Sequence, residues 1–265
     1  MASYKVLAEG PGIGDALWLT ALARNLKVQC PGDNIVTVSG YPTIFDNSPD
    51  VTKAVRFNEK VNGDFREIEL HFNFTGHAID GYCRQLGLKP PYIRRNFMYL
   101  DEGERYYAHS TIKEFKKVIA IQSQAGPWTR NKDWIPEYLN EVVKHFVGLG
   151  WRFMQVGGED SVRLKNCYDF WGSVRQTAAL MSECKLFLGP VSSGMHLASA
   201  VNIPALIIFG GREDPKVIAL EGHDYIYNEV DCAPCWKIEP CGDKKCMDEI
   251  KPSLVIKYIE EMLVR

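Results

Sequence analysis

The chain reads as an α/β protein of two Rossmann-like, doubly wound domains, and three observations predict this. Short apolar runs of strand type alternate with segments of helical period along most of the length. The alternation occurs twice, in series separated near residues 105–116. The residues best suited to chemistry stand directly after predicted strands, the edge at which α/β sheets bind ligands. The domains are therefore expected at 1–112 and 113–265, with ligand between them at the strand C-termini.

In the first series, Tyr4–Glu9 and Ile35–Ser39 read as strands, and a helix is expected over Asp15–Lys27 from its apolar spacing. A further short strand is expected at Ile68–Phe72. The aromatic-rich segment Asn73–Tyr107, broken by Lys89-Pro90-Pro91, fits no single element. The second series predicts strands at Val118–Gln122, Trp151–Val156, Leu186–Leu188 and Ala205–Phe209. Between and after them, helices are expected at Pro136–Leu149, Arg175–Cys184, from His196 to Val201, and over Pro252–Val264.

The charge is balanced, with 31 Lys and Arg against 33 Asp and Glu among 265 residues. That gives no global support for binding nucleic acid or a membrane surface. No apolar run reaches the length of a membrane span, and no secretory signal pattern follows Met1, so a cytoplasmic location is expected. Of eight cysteines, Cys30, Cys83, Cys167 and Cys184 are scattered and read as buried small hydrophobes.

Four strand-end motifs carry the chemical reading. Gly12-Ile13-Gly14-Asp15 forms a tight turn into a helix, and Asp15 is either a cap or a general base. A dinucleotide fingerprint would need a third glycine where Leu17 stands. The turn before Leu197 offers Ser192, Ser193, Gly194 and the N–H groups of a helix start, with His196 beside them. It is either a phosphate cradle or an ordinary helix cap. Thr129-Arg130-Asn131-Lys132-Asp133-Trp134 can bind phosphate oxygens, or it is a solvated charged loop. Gly157-Gly158-Glu159-Asp160 offers acids to ribose hydroxyls, or is a plain turn.

These motifs together resemble glycosyltransferase family nine, the heptosyltransferases that use ADP-heptose. The opening motif is matched by Gly12, Gly14 and Asp15, and a Lys-x-Trp segment by Lys132 and Trp134. The late run is matched by Ser192–His196, Leu197-Ala198, Pro204–Phe209 and Gly210–Pro215. The resemblance implies a GT-B fold, its two Rossmann-like domains facing across a cleft and the first one trimmed. It implies an inverting transfer of a heptose-like sugar from a nucleotide-diphosphate donor to an acceptor hydroxyl, with no cofactor needed for catalysis. Asp15 would be the base. Gly14, Thr129, Lys132, Glu159, Ser192, Ser193, Gly194 and His196 would bind the donor. Arg94 and Arg95, with the tyrosines around them, would bind the acceptor, whether saccharide, protein or modified nucleic acid. Two departures stand out: Val191 occupies the place of an acid in the late motif, and Gly194 falls one position late.

The remaining cysteines read Cys232-x2-Cys235-x5-Cys241-x4-Cys246 within the segment 232–246. They are either free thiols or disulfides, or a tetrahedral site for structural zinc or iron. The Cys-x-Pro-Cys portion resembles that of family members, and some protein-glycosylating relatives carry an iron-binding finger. Two competing functions remain open: a nucleotide-sugar-binding or assembly module without turnover, and a transferase acting on modified DNA bases.

Overall fold

A computed structural model of the protein describes residues 2–72 and 75–265. Met1 and Phe74, and the Asn73 that opens the aromatic-rich segment, lie outside the described residues. The chain divides into two compact units, Met1–Glu102 and Gly103–Arg265.

The first unit contains β1 (Ser3–Leu7), α1 (Ile13–Gln29), β2 (Asn34–Val38), β3 (Lys53–Val55), β4 (Arg66–Glu69) and α2 (Ala78–Gln85). Its sheet has the order β3-β2-β1-β4 and is parallel throughout. Helix α1 is apolar on nearly every side, with Leu17, Leu19, Leu22 and Leu26 almost fully buried, as expected of a helix enclosed by its unit. It starts at Ile13, two residues before the expected Asp15, because Gly12 serves as the N-cap. The stretch after Pro91 is extended and held to α1 by side-chain bonds. Asn25 accepts from the Ile93 N–H at 2.8 Å, Thr20 accepts from Phe97 N–H at 2.9 Å, and Asn96 donates to the Leu17 carbonyl at 2.7 Å.

Helix α3 (Glu102–Ile112) leads into the second unit. The sequence put the division after 112. The helix instead falls with the second unit, where its Glu104 takes a two-pronged ion pair from Arg175 at 2.5 and 2.6 Å. There follow β5 (Val118–Ile121), α4 (Pro136–Gly148), β6 (Arg152–Val156), β7 (Cys167–Phe170), α5 (Val174–Ser182), β8 (Leu186–Pro190) and α6 (Ser193–Ala200). β9 (Ala205–Gly210), α7 (Pro215–Ile218), β10 (His223–Tyr227), α8 (Lys245–Asp248) and α9 (Pro252–Leu263) complete it.

The second sheet is parallel with the order β10-β9-β8-β5-β6-β7. Its central strands β5, β8 and β9 are buried at every residue, which is why they read as unbroken apolar runs. Helix α4 buries Leu139, Val142, Val143 and Phe146 at helical spacing, and packs with α9 through Val255 and Ile259. The strand order reverses between β5 and β8. That crevice, outside the carboxyl ends of the strands, is where open α/β sheets bind ligands.

Candidate functional site

In the first unit, the turn after β1 folds back on itself. Asp15 is the third residue of α1, and its Oδ2 accepts the Gly12 N–H at 2.9 Å. A Cβ added at Gly10 or Gly12 would lie 2.7 or 2.9 Å from the same oxygen, so both glycines are needed for the carboxylate to curl over the turn. Asp15 therefore caps from inside the helix. A carboxylate has about four acceptor sites, so capping and accepting a proton are compatible. Beside it, the Tyr82 hydroxyl donates to Glu9 Oε2 at 2.9 Å. Burial pushes the Tyr82 phenol up, and the charges of Glu9 and Asp15 push it further. Glu9 is thus a second carboxylate at this turn that sequence reasoning left out. Gly14 belongs to this turn, in a different unit from the other residues expected to bind the donor.

Arg94 forks onto Asp80, with bonds of 2.8 and 2.6 Å. Asp80 is held below the ordinary carboxylate range: partial burial raises it, and Arg94 more than reverses that. Arg95 stacks over Phe97, 4.8 Å from the ring centre.

In the second unit, the reversal point between β5 and β8 is spanned by one side chain. Gln122, first after β5, accepts the Gly194 N–H at 3.1 Å and donates to Ser192 Oγ at 3.3 Å. The start of α6 is thereby keyed to the end of β5. A Cβ on Gly194 would meet Gln122 Oε1 and Phe187 Cζ, each at 2.4 Å, so only glycine fits. Ser192 and Ser193 are partly exposed at this helix start, which begins at Ser193 and not at His196. His196 is buried and held down to about 3, by loss of water first and by the Lys132 charge next, so it is neutral at physiological pH.

The Thr129–Trp134 loop is built, not solvated. Thr129 donates to the Ile238 carbonyl at 3.0 Å and accepts from Asn131 N–H at 3.3 Å. Asn131 donates to the Lys237 and Glu239 carbonyls and accepts from Cys241 N–H. Trp134 is a core residue whose indole N–H donates to the Ile250 carbonyl. What the loop presents is Lys132, whose Nζ lies 2.8 Å from Glu213 Oε1. Arg212 donates to the same oxygen at 2.7 Å and to the Lys237 carbonyl at 2.8 Å. Both cations lie over the half-exposed face of Trp128, at 5.2 and 4.6 Å from its centre. Gln122, Arg212, Glu213 and Trp128 were missed from sequence. Their available signal was position, since each follows closely on a buried strand.

Glu159 stands exposed in the turn after β6. That turn is fixed by Gln155, which donates to Ser123 Oγ and the Val162 carbonyl and accepts from Leu164 N–H. Gln124 accepts from Val162 N–H. A cavity of about 260 Å³ lies between this turn and the β5 end, lined in part by Ser123, Gln124, Asp133 and Val162.

The four late cysteines gather around residues 211–246. Burial raises the Cys246 thiol, a bond from Gly211 opposes this, and the nearness of Cys232, Cys235 and Cys241 raises it again. Yet among the described residues no three His, Cys, Asp or Glu side chains come together as a metal-holding group. The tetrahedral set expected at Cys232, Cys235, Cys241 and Cys246 is therefore not assembled here. Neutral thiols do not draw one another in, whereas a metal binds them as thiolates. The segment still braces the site, through the bonds from its backbone to Thr129, Asn131 and Arg212. No helix among the described residues is long and apolar enough to cross a membrane.

The family model described as glycosyltransferase family 9 (heptosyltransferase) matches residues 83–245. Lipooligosaccharide heptosyltransferase 2 of Campylobacter jejuni subsp. jejuni serotype O:6 is 22% identical over 169 residues, covering 57% of this chain. The chain spans about half the length of that relative (53%). Among solved structures, E. coli ADP-heptose LPS heptosyltransferase II superposes with a TM-score of 0.76 at 14% identity, covering 100% of this chain and 99% of that one. A Veillonella parvula family 9 glycosyltransferase gives 0.80 at 18% identity, covering 99% and 97%. The iron-containing dodecameric glycosyltransferase TibC from enterotoxigenic E. coli gives 0.76 at 15%, covering 98% and 76%. At these identities the likeness concerns the fold, which is GT-B with two Rossmann-like units.

Proposed function

Because the chain belongs to glycosyltransferase family 9, the heptosyltransferase family, we propose that it is an inverting glycosyltransferase using a nucleotide-diphosphate sugar such as ADP-heptose. The observation that carries this reading is the second unit's reversal point. There, the partly exposed Ser192 and Ser193 at the start of α6 and two cations, Lys132 and Arg212, are held in advance near one place. Fixed donors of this kind stabilise the charge that grows on a departing diphosphate, and they need no reorganisation to do so. In this reading Lys132 and the Ser192–Gly194 turn receive the diphosphate, neutral His196 offers a hydrogen bond, Thr129 holds the loop, and Glu159 takes ribose hydroxyls. Asp15 accepts the acceptor hydroxyl's proton as that oxygen attacks the anomeric carbon. Arg94 and Arg95 receive the acceptor, a saccharide in the first instance.

The experiment is a thermal-shift panel of nucleotides and nucleotide sugars on the full chain, since a ligand that binds only the folded state raises its melting temperature. ADP-heptose is expected to raise it, followed by ADP. Absence of any shift with every nucleotide diphosphate at millimolar concentration would remove the reading. We also propose that the four thiols hold one structural zinc or iron ion when loaded, with no role in the chemistry. Metal analysis of the purified chain should find about one ion per chain, lost in Cys235→Ser; a metal-free, fully folded chain would refute it.

A further inference from the structure

One carboxylate in the second unit is not accounted for by diphosphate binding. Glu213 sits in the turn between β9 and α7, only 5% exposed. It is not needed as a helix cap, because Asp214 caps α7 by accepting from Lys216 N–H at 2.8 Å. One oxygen, Oε1, is doubly engaged, with Lys132 at 2.8 Å and Arg212 at 2.7 Å. The other, Oε2, is buried and has no hydrogen-bond partner among the described residues. Leaving a buried acceptor without a partner is costly, and an oxygen kept in that state calls for a reason.

The chemistry of the missing partner is narrow. Oε2 is an acceptor, so it needs a donor, and a fully ionised diphosphate offers none. Two cations already stand against the same carboxylate, so a third is disfavoured. A neutral O–H or N–H donor remains, and beside a diphosphate the nearest such groups on a nucleotide sugar are sugar hydroxyls. Lys132, the group that would meet the diphosphate, is also one of the two groups closing over Glu213. With Lys132 and Arg212 both on Oε1, the other oxygen, Oε2, is the one left for whatever is attached to a phosphate that Lys132 receives. The turn after β8 supplies no carboxylate for this purpose, since it offers buried apolar Val191 and two serine hydroxyls.

We propose that Glu213 reads the donor sugar: its Oε2 accepts one hydroxyl of the sugar attached to the diphosphate, while Oε1 stays with Arg212. The proposal rests on the donor-site reading above and deepens it. Lys132 thus carries the diphosphate and Glu213 carries discrimination between a nucleotide diphosphate with a sugar and one without.

The test titrates the full chain and Glu213→Gln with ADP and with ADP-heptose by calorimetry. Glutamine keeps the shape and an acceptor oxygen toward Arg212. The wild type is expected to prefer ADP-heptose over ADP, and Glu213→Gln to lose about ten- to a hundredfold of that preference, with ADP affinity unchanged or raised. Equal loss for both ligands, or an unchanged preference, overturns the proposal while leaving the donor site standing. If the wild type binds neither ligand, the donor-site reading itself fails. A second measurement does not depend on the variant folding: ADP-sugars each lacking one hydroxyl are titrated against the wild type. One of them should show a loss of the same size. If all bind as tightly as the parent, Glu213 does not read the sugar.

Discussion

The two units use their strand-end polar groups in opposite ways. In the first, the charged groups are each engaged locally: Asp15 with Gly12 and Glu9 with Tyr82 at the turn after β1, and Arg94 with Asp80 on α2. In the second, the charges are pooled around one place, with Lys132 and Arg212 sharing Glu213 and α6 keyed to β5 by Gln122. Under the proposed function, the difference matches what each task would require. A leaving diphosphate needs a fixed excess of positive charge, so pooled cations serve it. A general base needs one accepting oxygen on a rigid element, and a carboxylate clamped by its own helix turn provides that.

The sharpest way to break this comparison is at Asp15. Asp15→Asn keeps an oxygen for the Gly12 N–H and cannot take a proton. Turnover should fall by about 10²- to 10⁴-fold, the usual worth of a general base, while calorimetric ADP affinity and melting temperature stay near wild type. Asp15→Ala should add a loss of about 1 kcal/mol of stability from the broken cap. Undiminished turnover in Asp15→Asn would reduce the residue to a cap and leave Glu9 as the carboxylate to test, whereas a wild type that binds ADP-heptose and never turns over would favour a binding module.

Acid should separate the units next. His196 and His223 lie at about 3 and about 4, both because burial strips water from the imidazolium, with Lys132 adding to the effect at His196. Each is neutral when folded and protonates at low pH only on unfolding. Their stabilisation is thus complete above pH 6.5 and is lost as pH falls from there toward 3 to 4, at about 1.4 kcal/mol per pH unit per histidine. At pH 5 the two together should cost about 4 kcal/mol. Both belong to the second unit, so hydrogen exchange at pH 5 should show it opening before the first. His223→Leu should halve the slope and raise stability at pH 7.5, because neither ring nitrogen of His223 has a partner among the described residues. A slope unchanged by that substitution would refute the assignment.

A smaller effect tests the key between β5 and β8. Gly194→Ala places a methyl 2.4 Å from Gln122 Oε1 and Phe187 Cζ, so one of them must shift. A loss of about 1–3 kcal/mol is expected, together with weaker ADP binding, because the start of α6 moves with it. An alanine variant that melts and binds like the wild type would show that the keyed geometry is dispensable.

What was legible in the sequence follows from burial on both faces. β5, β8 and β9 are continuous apolar runs and were readable as strands, and α4 and α9 carry a clean helical stripe. β3, β7 and β10 were not, being short edge strands whose outward residues, such as Asp169 and Tyr225, break the pattern. Tyr106 and Tyr107 read as acceptor surface in a segment that fits no single element. They lie on α3, where only Ala108 and Ile112 are buried, too few to reveal a period. Within the site, Lys132 and Ser192–His196 were readable because each follows a strand. Arg212 and Glu213 follow a strand too and fall within the Gly210–Pro215 match, but neither was singled out, because adjacent opposite charges compensate one another. Their meaning depends on Lys132, 81 residues away in the chain.

The smallest expected effect sharpens the first unit's side. Arg94 is 45% exposed at its side chain, so its fork onto Asp80 should be worth less than about 1 kcal/mol to stability. Its value to function has the opposite sign to its partner's. An anionic group on an acceptor must displace Asp80 to reach the guanidinium, so Asp80 competes with the acceptor for the same fork. Arg94→Gln should raise KM for a phosphorylated saccharide acceptor and leave ADP affinity alone. Asp80→Asn should lower that KM, because the guanidinium is released from its carboxylate. Steady-state kinetics with both variants gives two shifts of opposite direction if Arg94 receives the acceptor. Two shifts in the same direction, or none, would mean that the fork only anchors α2, and the first unit's polar groups would then be structural everywhere except at the Asp15 turn.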